Sequence, residues 1–114
     1  VVISVPEELQ DVVTGLSGSG PAYVFYLAEA MTAAAVELGL DLATATLMVN
    51  HTILGAATLL ETSTEPADVL RRKVTSPNGT TAAAISVMEQ LGVRPAVVSA
   101  VTAARDRSRE LSGG

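Results

Sequence analysis

Eight consecutive residues, Val74-Thr75-Ser76-Pro77-Asn78-Gly79-Thr80-Thr81, concentrate the side chains of this chain that could do chemistry. Three of them turn the backbone for separate reasons. Pro77 fixes φ, Asn78 bonds to nearby backbone and tolerates the left-handed region, and Gly79 is free at positive φ. The run TTAAAISVMEQL that follows reads as a helix, so the turn delivers unpaired N–H groups, from about Gly79 to Ala82, beside several hydroxyls. A helix N-terminus carries roughly half a positive charge and suits an anion such as a small carboxylate. A plainer account fits the same residues: Ser76, Thr80 or Thr81 caps the helix and the segment only associates with other helices. Arg71, Arg72 and Lys73, just upstream, either raise the local potential for an anion or compensate the dipole of the helix they end.

Other reactive groups are sparse. With no cysteine and one histidine the chain has no basis for disulfides, thiolate chemistry or a dedicated zinc site, and no metal is expected. His51 has no carboxylate or nucleophile at helical spacing and reads as a hydrogen-bonded structural residue in or at the edge of the core. Glu29 and Glu37 lie two helical turns apart and read as a solvated side. Gly18-Ser19-Gly20 invites a dinucleotide-loop reading, but Tyr23 replaces the third glycine, Pro21 intrudes and no βαβ unit surrounds it. The expectation there is a flexible turn with Pro21 at the first helical position.

The elements that position these residues are helices. Pro6-Glu7-Glu8 opens a short helix to about Thr14, after a β-branched Val1 to Val5 that reads as the end of a linker or strand. Pro21 to about Leu38 forms a long helix with Tyr23, Leu27, Met31, Ala34 and Leu38 on one apolar face, the Ala33 to Ala35 triplet allowing close helix approach, and Gly39 as its stop. Asp41 caps a second helix to about Glu61. Its nineteen residues from Leu42 to Leu60 bear no formal charge, near the ~18 expected of a membrane span. Four threonines, Asn50, His51, Gly55 and acidic flanks favour instead a helix buried in a helical dimer. Ala67 to Lys73 is a short helix, and the helix after the octet stops at Gly92. Val93-Arg94-Pro95 then leads into a last helix with Val97, Val98, Val101, Ala104 and Leu111 on its apolar side and Arg105 to Glu110 facing water.

The fold class expected is thus all-α: a bundle of about five helices, residues 6–114, that interlocks with a second copy. A hydrophobic share of 48% against 17% charged residues leaves surplus apolar surface for such a partner, and the scarcity of aromatics suits close helix packing. The net charge of −5 argues against nucleic acid. The start at Val1, without methionine or secretory signal, suggests a domain cut from a longer cytoplasmic protein.

Two blocks carry a resemblance. LRRKVTSPNGTTAAAISVME, Leu70 to Glu89, resembles the signature of the pyrroline-5-carboxylate reductase family, and DVVTGLSGSGPAYVFYLAEAM, Asp11 to Met31, is similar to the family's entry into its helical domain. With Leu38-Gly39-Leu40 and the last helix they cover nearly the whole chain in the family's order. The resemblance implies the C-terminal helical dimerisation domain of an enzyme that reduces 1-pyrroline-5-carboxylate to L-proline with NADPH or NADH, in the last step of proline biosynthesis. It further implies that residues 1–5 lead from an N-terminal Rossmann domain that binds most of the cofactor, so that this chain alone is inactive. Its partners would be a second copy, with larger assemblies of dimers left open, and the small-molecule substrate, but neither nucleic acid nor membrane. Carried over by position, Thr81 is the catalytic hydroxyl facing the ring nitrogen, and Ser76, Asn78, Gly79 and Thr80 bind the substrate carboxylate. Ser19, Gly20 and Pro21 either approach the nicotinamide side of the pocket or serve close packing. Many family members read Gly-Gly where this chain has Asn78-Gly79; asparagine's tolerance of αL keeps the turn available.

Overall fold

The computed structural model describes residues 3–113, and among them helix is the only regular structure. Residues 3–6 carry no regular structure, and Val1 and Val2 lie outside the described residues. A single 3₁₀ turn, Glu7–Leu9, runs into α1 (Gln10–Val13) and a π-turn, Thr14–Gly18. Five helices follow: α2 (Gly20–Glu37), α3 (Leu42–Thr62), α4 (Ala67–Lys73), α5 (Thr80–Gln90) and α6 (Val93–Leu111). The chain is all-α, as its periodicity predicts.

The helix boundaries follow from local chemistry. Asp41 caps α3 with both carboxylate oxygens: Oδ1 accepts from the Thr44 N–H at 2.9 Å and Oδ2 from the Thr44 hydroxyl at 2.8 Å. These bonds favour the charged form and hold the Asp41 carboxyl below its ordinary value. Left-handed Gly39 (φ 117°) and Gly92 (φ 73°) let the chain leave α2 and α5. Pro95 sits in the first turn of α6, where its missing N–H costs nothing.

Two compact units emerge. The first joins the residues up to Val24 to those from Met88 onward. In it, α1 and the π-turn pack on α6. The stretch from Gly15 to Pro21 is therefore not a flexible turn: it continues helical through Gly18, and α2 begins at Gly20, one residue before Pro21. The cause is Gly15, the one buried residue of the π-turn. A Cβ there would stand 2.9 Å from the Arg105 backbone nitrogen and 3.0 Å from the Val101 carbonyl oxygen, so only glycine lets the two backbones come this close. The Tyr23 hydroxyl donates to the Gly15 carbonyl, and Ser108 Oγ bonds Asp11 Oδ1 at 2.7 Å. Val101, Ala104, Arg105 and Ser108 are the half-buried residues along α6. Arg105 and Ser108 thus lie on the inner stripe rather than facing water, because the approach at Gly15 extends the contact beyond the apolar positions.

The second unit, Phe25–Val87, holds most of α2, all of α3 and α4, and most of α5. Its buried apolar residues, among those described, are Ala45 and Val49, one helical turn apart on α3. By contrast Phe25 is 67% exposed, Tyr26 76% and Leu54 63%. Phe25, Ala28, Glu29, Thr32, Ala33, Val36 and Glu37 recur at three- and four-residue steps along α2 and, with Leu42, line an open groove of about 680 Å³. This face is distinct from the one through Leu27, Met31 and Ala34, so α2 is apolar on two sides, and Glu29 and Glu37 do share a side, the groove's. α3 is the one helix among the described residues long and apolar enough to cross a membrane by length and composition.

Candidate functional site

The octet forms one tight structure between α4 and α5. The Val74 N–H bonds to the Arg71 carbonyl at 3.2 Å, the Thr75 N–H to Arg72 at 3.1 Å, and the Thr75 hydroxyl back to the Arg71 carbonyl at 2.6 Å. Thr75 thereby spends its hydroxyl closing the C-terminus of α4. Next comes a β-turn in which the Gly79 N–H donates to the Ser76 carbonyl at 3.1 Å, with Pro77 and Asn78 at its two central positions. Asn78 has φ 60°, the left-handed value a type II turn requires at its third residue. Among the described residues it is the one non-glycine residue with positive φ.

Gly79 then opens α5: its carbonyl accepts from the Ala83 N–H at 3.1 Å. The N–H groups of Thr80, Thr81 and Ala82 have no backbone acceptor among the described residues. The Gly79 N–H, by contrast, is already engaged in the turn, so the free donors begin one residue later than the sequence suggests. Among the described residues the hydroxyls of Ser76, Thr80 and Thr81 make no side-chain hydrogen bond, and α5 is capped by backbone alone. Ser76, Asn78 and Thr80 are exposed, while Gly79 and Thr81 are half-buried.

The basic residues upstream divide their roles. Arg72 pairs with Asp68 at 3.1 Å, one turn back, and Lys73 pairs with Glu65. Arg71 makes no ion pair among the described residues and is half-buried, so it is the cation beside the octet that is not neutralised locally.

All five residues assigned to catalysis and carboxylate binding, Ser76, Asn78, Gly79, Thr80 and Thr81, are brought together here. Ser19, Gly20 and Pro21 belong to the other compact unit. A Cβ on Gly20 would meet nothing within 4 Å, and the nearest atom to one on Gly18 is Thr14 Cγ2 at 3.7 Å. No strand precedes them among the described residues, so this stretch lacks the strand-turn-helix setting of a dinucleotide cradle. His51 is exposed on α3. Missed in the sequence were Gly15, Tyr23 as a hydrogen-bond donor, and the close approach of Ser76 Oγ to Gly79.

Comparison with known proteins agrees with the fold and with both sequence blocks. The family described as pyrroline-5-carboxylate reductase dimerisation matches residues 7–111. A pyrroline-5-carboxylate reductase of Synechocystis is 47% identical over 110 residues, covering 96% of this chain and 41% of the relative. That of Pseudomonas aeruginosa is 52% identical over 103 residues, 90% of this chain and 37% of the relative. The crystal structure of a Plasmodium falciparum pyrroline carboxylate reductase with NADP bound superposes with a TM-score of 0.90 at 31% identity, over 96% of this chain and 44% of that one. The Coxiella burnetii enzyme also gives 0.90, at 42% identity, over 95% and 40%. The chain thus spans about two fifths of the length of the relatives it matches. With 105 residues under one family model and both motif blocks inside it, the chain belongs to the pyrroline-5-carboxylate reductase dimerisation family.

Proposed function

We propose that this chain is the dimerising and substrate-holding part of a cytoplasmic pyrroline-5-carboxylate reductase, which reduces 1-pyrroline-5-carboxylate to L-proline. The observation that carries the reading is the turn at Ser76–Gly79, which presents an exposed Ser76 hydroxyl and the free N–H groups of Thr80, Thr81 and Ala82 at the start of an eleven-residue helix. Aligned dipoles and unpaired donors favour a carboxylate there. Thr81, half-buried one residue inside the helix, is the hydroxyl that faces the ring nitrogen of the substrate. A threonine hydroxyl is a very weak acid, so its part is to hydrogen-bond and orient. Alignment of the bound imine supplies most of what this chain adds to the rate.

The residues present do not fit a dinucleotide cradle, since no strand-turn-helix unit surrounds Gly18 and Gly20 among the described residues. The nicotinamide cofactor, NADPH or NADH, is held by a Rossmann domain in the same polypeptide, to which residues 1–5 lead. A second copy covers α2 and α3. The double apolar character of α2 and the uncharged run of α3 support this, since helices shared between two chains keep little face for water.

The test is reduction of 1-pyrroline-5-carboxylate by the full-length protein that contains this chain, in wild-type form and as Ser76→Ala and Thr81→Ala. The reading expects loss of function centred on these two hydroxyls. Wild-type kinetics from both variants would reduce the octet to a turn that caps a helix.

A further inference from the structure

Resting on the reading that Ser76 holds the substrate carboxylate, we infer that Gly79 is a positioning residue for the Ser76 hydroxyl, acting through its missing side chain. What Gly79 contributes is space. A Cβ built on it would lie 2.6 Å from Ser76 Oγ, 3.2 Å from the Ser76 carbonyl oxygen and 3.8 Å from Ser76 Cβ. The first distance is far inside van der Waals contact, and the last is ordinary. The Ser76 hydroxyl therefore rests over the Cα of Gly79, in a place that any side chain there would take, and it is the hydroxyl that meets the intruding atom most severely.

This placement serves the site directly. It keeps Oγ beside Gly79, the residue just before the Thr80, Thr81 and Ala82 N–H groups that stand free. A serine swung to another staggered rotamer would move its oxygen by roughly the distance between rotamer wells, enough to break a hydrogen bond to a ligand held by those N–H groups. Left-handed backbone is not the reason for glycine here, since Asn78 carries the positive φ of this turn and Gly79 does not. The two residues thus divide the work: Asn78 makes the turn and Gly79 makes the room.

The experiment is a double-mutant cycle in the full-length protein with Ser76→Ala, Gly79→Ala and the two combined, read as KM for 1-pyrroline-5-carboxylate, kcat and Tm. Loss of one hydrogen bond to a charged ligand raises KM about tenfold or more. Each single variant is expected to show that rise with kcat changed less. In the Ser76→Ala background, Gly79→Ala should add less than about twofold, because the atom it collides with is gone. A rise of the same factor in both backgrounds, or an equal fall of Tm in both, would overturn the inference by showing that Gly79 serves the backbone alone. If Gly79→Ala gives no soluble protein, recovery of folded protein in the combined variant supports the inference and failure of both overturns it. An unchanged KM in Ser76→Ala removes the carboxylate contact itself, and the inference with it; that outcome is distinct from equal effects in the two backgrounds.

Discussion

Within the octet, hydroxyls that look alike in sequence have different fates. Thr75 is consumed by the end of α4, whereas Ser76, Thr80 and Thr81 remain available. Thr81→Ala in the full-length protein is expected to lower kcat by about tenfold, the worth of one hydrogen bond, and by more than it raises KM, whereas Ser76→Ala mainly raises KM; steady-state kinetics on 1-pyrroline-5-carboxylate separates the two. Equal effects on KM alone would remove that division of labour. Asn78 gives a second check. At φ 60°, Asn78→Gly should be nearly neutral, while Asn78→Val should cost about 1–3 kcal/mol in thermal or urea unfolding, because a β-branched residue is strained there. Comparable stability of the two variants would mean the turn does not depend on this conformation.

At the scale of elements, the ends are local and the packing is not. Asp41 holds the start of α3 by two bonds to Thr44, and those bonds lower its pKa, so the stability it adds is present above the ordinary carboxylate value of 3.8 and fades as pH falls through the lower folded value. Asp41→Ala should therefore lower Tm at neutral pH, with the difference closing in acid; a difference independent of pH would point to some other cause. Gly15 tests the packing of α1 and the π-turn on α6. Gly15→Ala meets backbone that cannot swing aside and should cost about 1–3 kcal/mol, while Gly20→Ala, with open space around it, should stay within about 0.5 kcal/mol. Similar Tm shifts for both would place no special contact at Gly15. Asp41, Gly39, Gly92 and the Pro77-Asn78-Gly79 turn were all legible in sequence, because each acts on its own neighbours. The contact of Gly15 with Arg105 was not, since it joins residues ninety positions apart and the inner stripe of α6 includes an arginine and a serine that pattern reading assigns to water. The π-turn was hidden for the same reason: besides its own bond from the Ser19 N–H to the Thr14 carbonyl, it is held by Tyr23 and α6.

For the whole molecule, surface is the governing quantity. Within the second unit the groove along α2 is lined by Phe25, Ala28, Ala33 and Val36, and Leu47, Leu54, Leu59 and Leu60 of α3 are exposed, which matches the greasy composition. The isolated chain is accordingly expected to sediment as a dimer at micromolar concentration without detergent; a monomer, or a requirement for detergent, would contradict that. Because it lacks a dinucleotide cradle among its described residues, the same preparation should not enhance NADPH fluorescence, and saturable enhancement would contradict the assignment of the cofactor to a separate domain.

The most direct measurement is 1-pyrroline-5-carboxylate-dependent oxidation of NADPH, and then of NADH, by the full-length protein beside this 114-residue chain at equal concentration. Turnover by the long form alone, lost progressively in Ser76→Ala and Thr81→Ala, is the result expected of a chain that dimerises and holds the substrate. Turnover by the short chain, or none by the full-length protein with either cofactor, would contradict it.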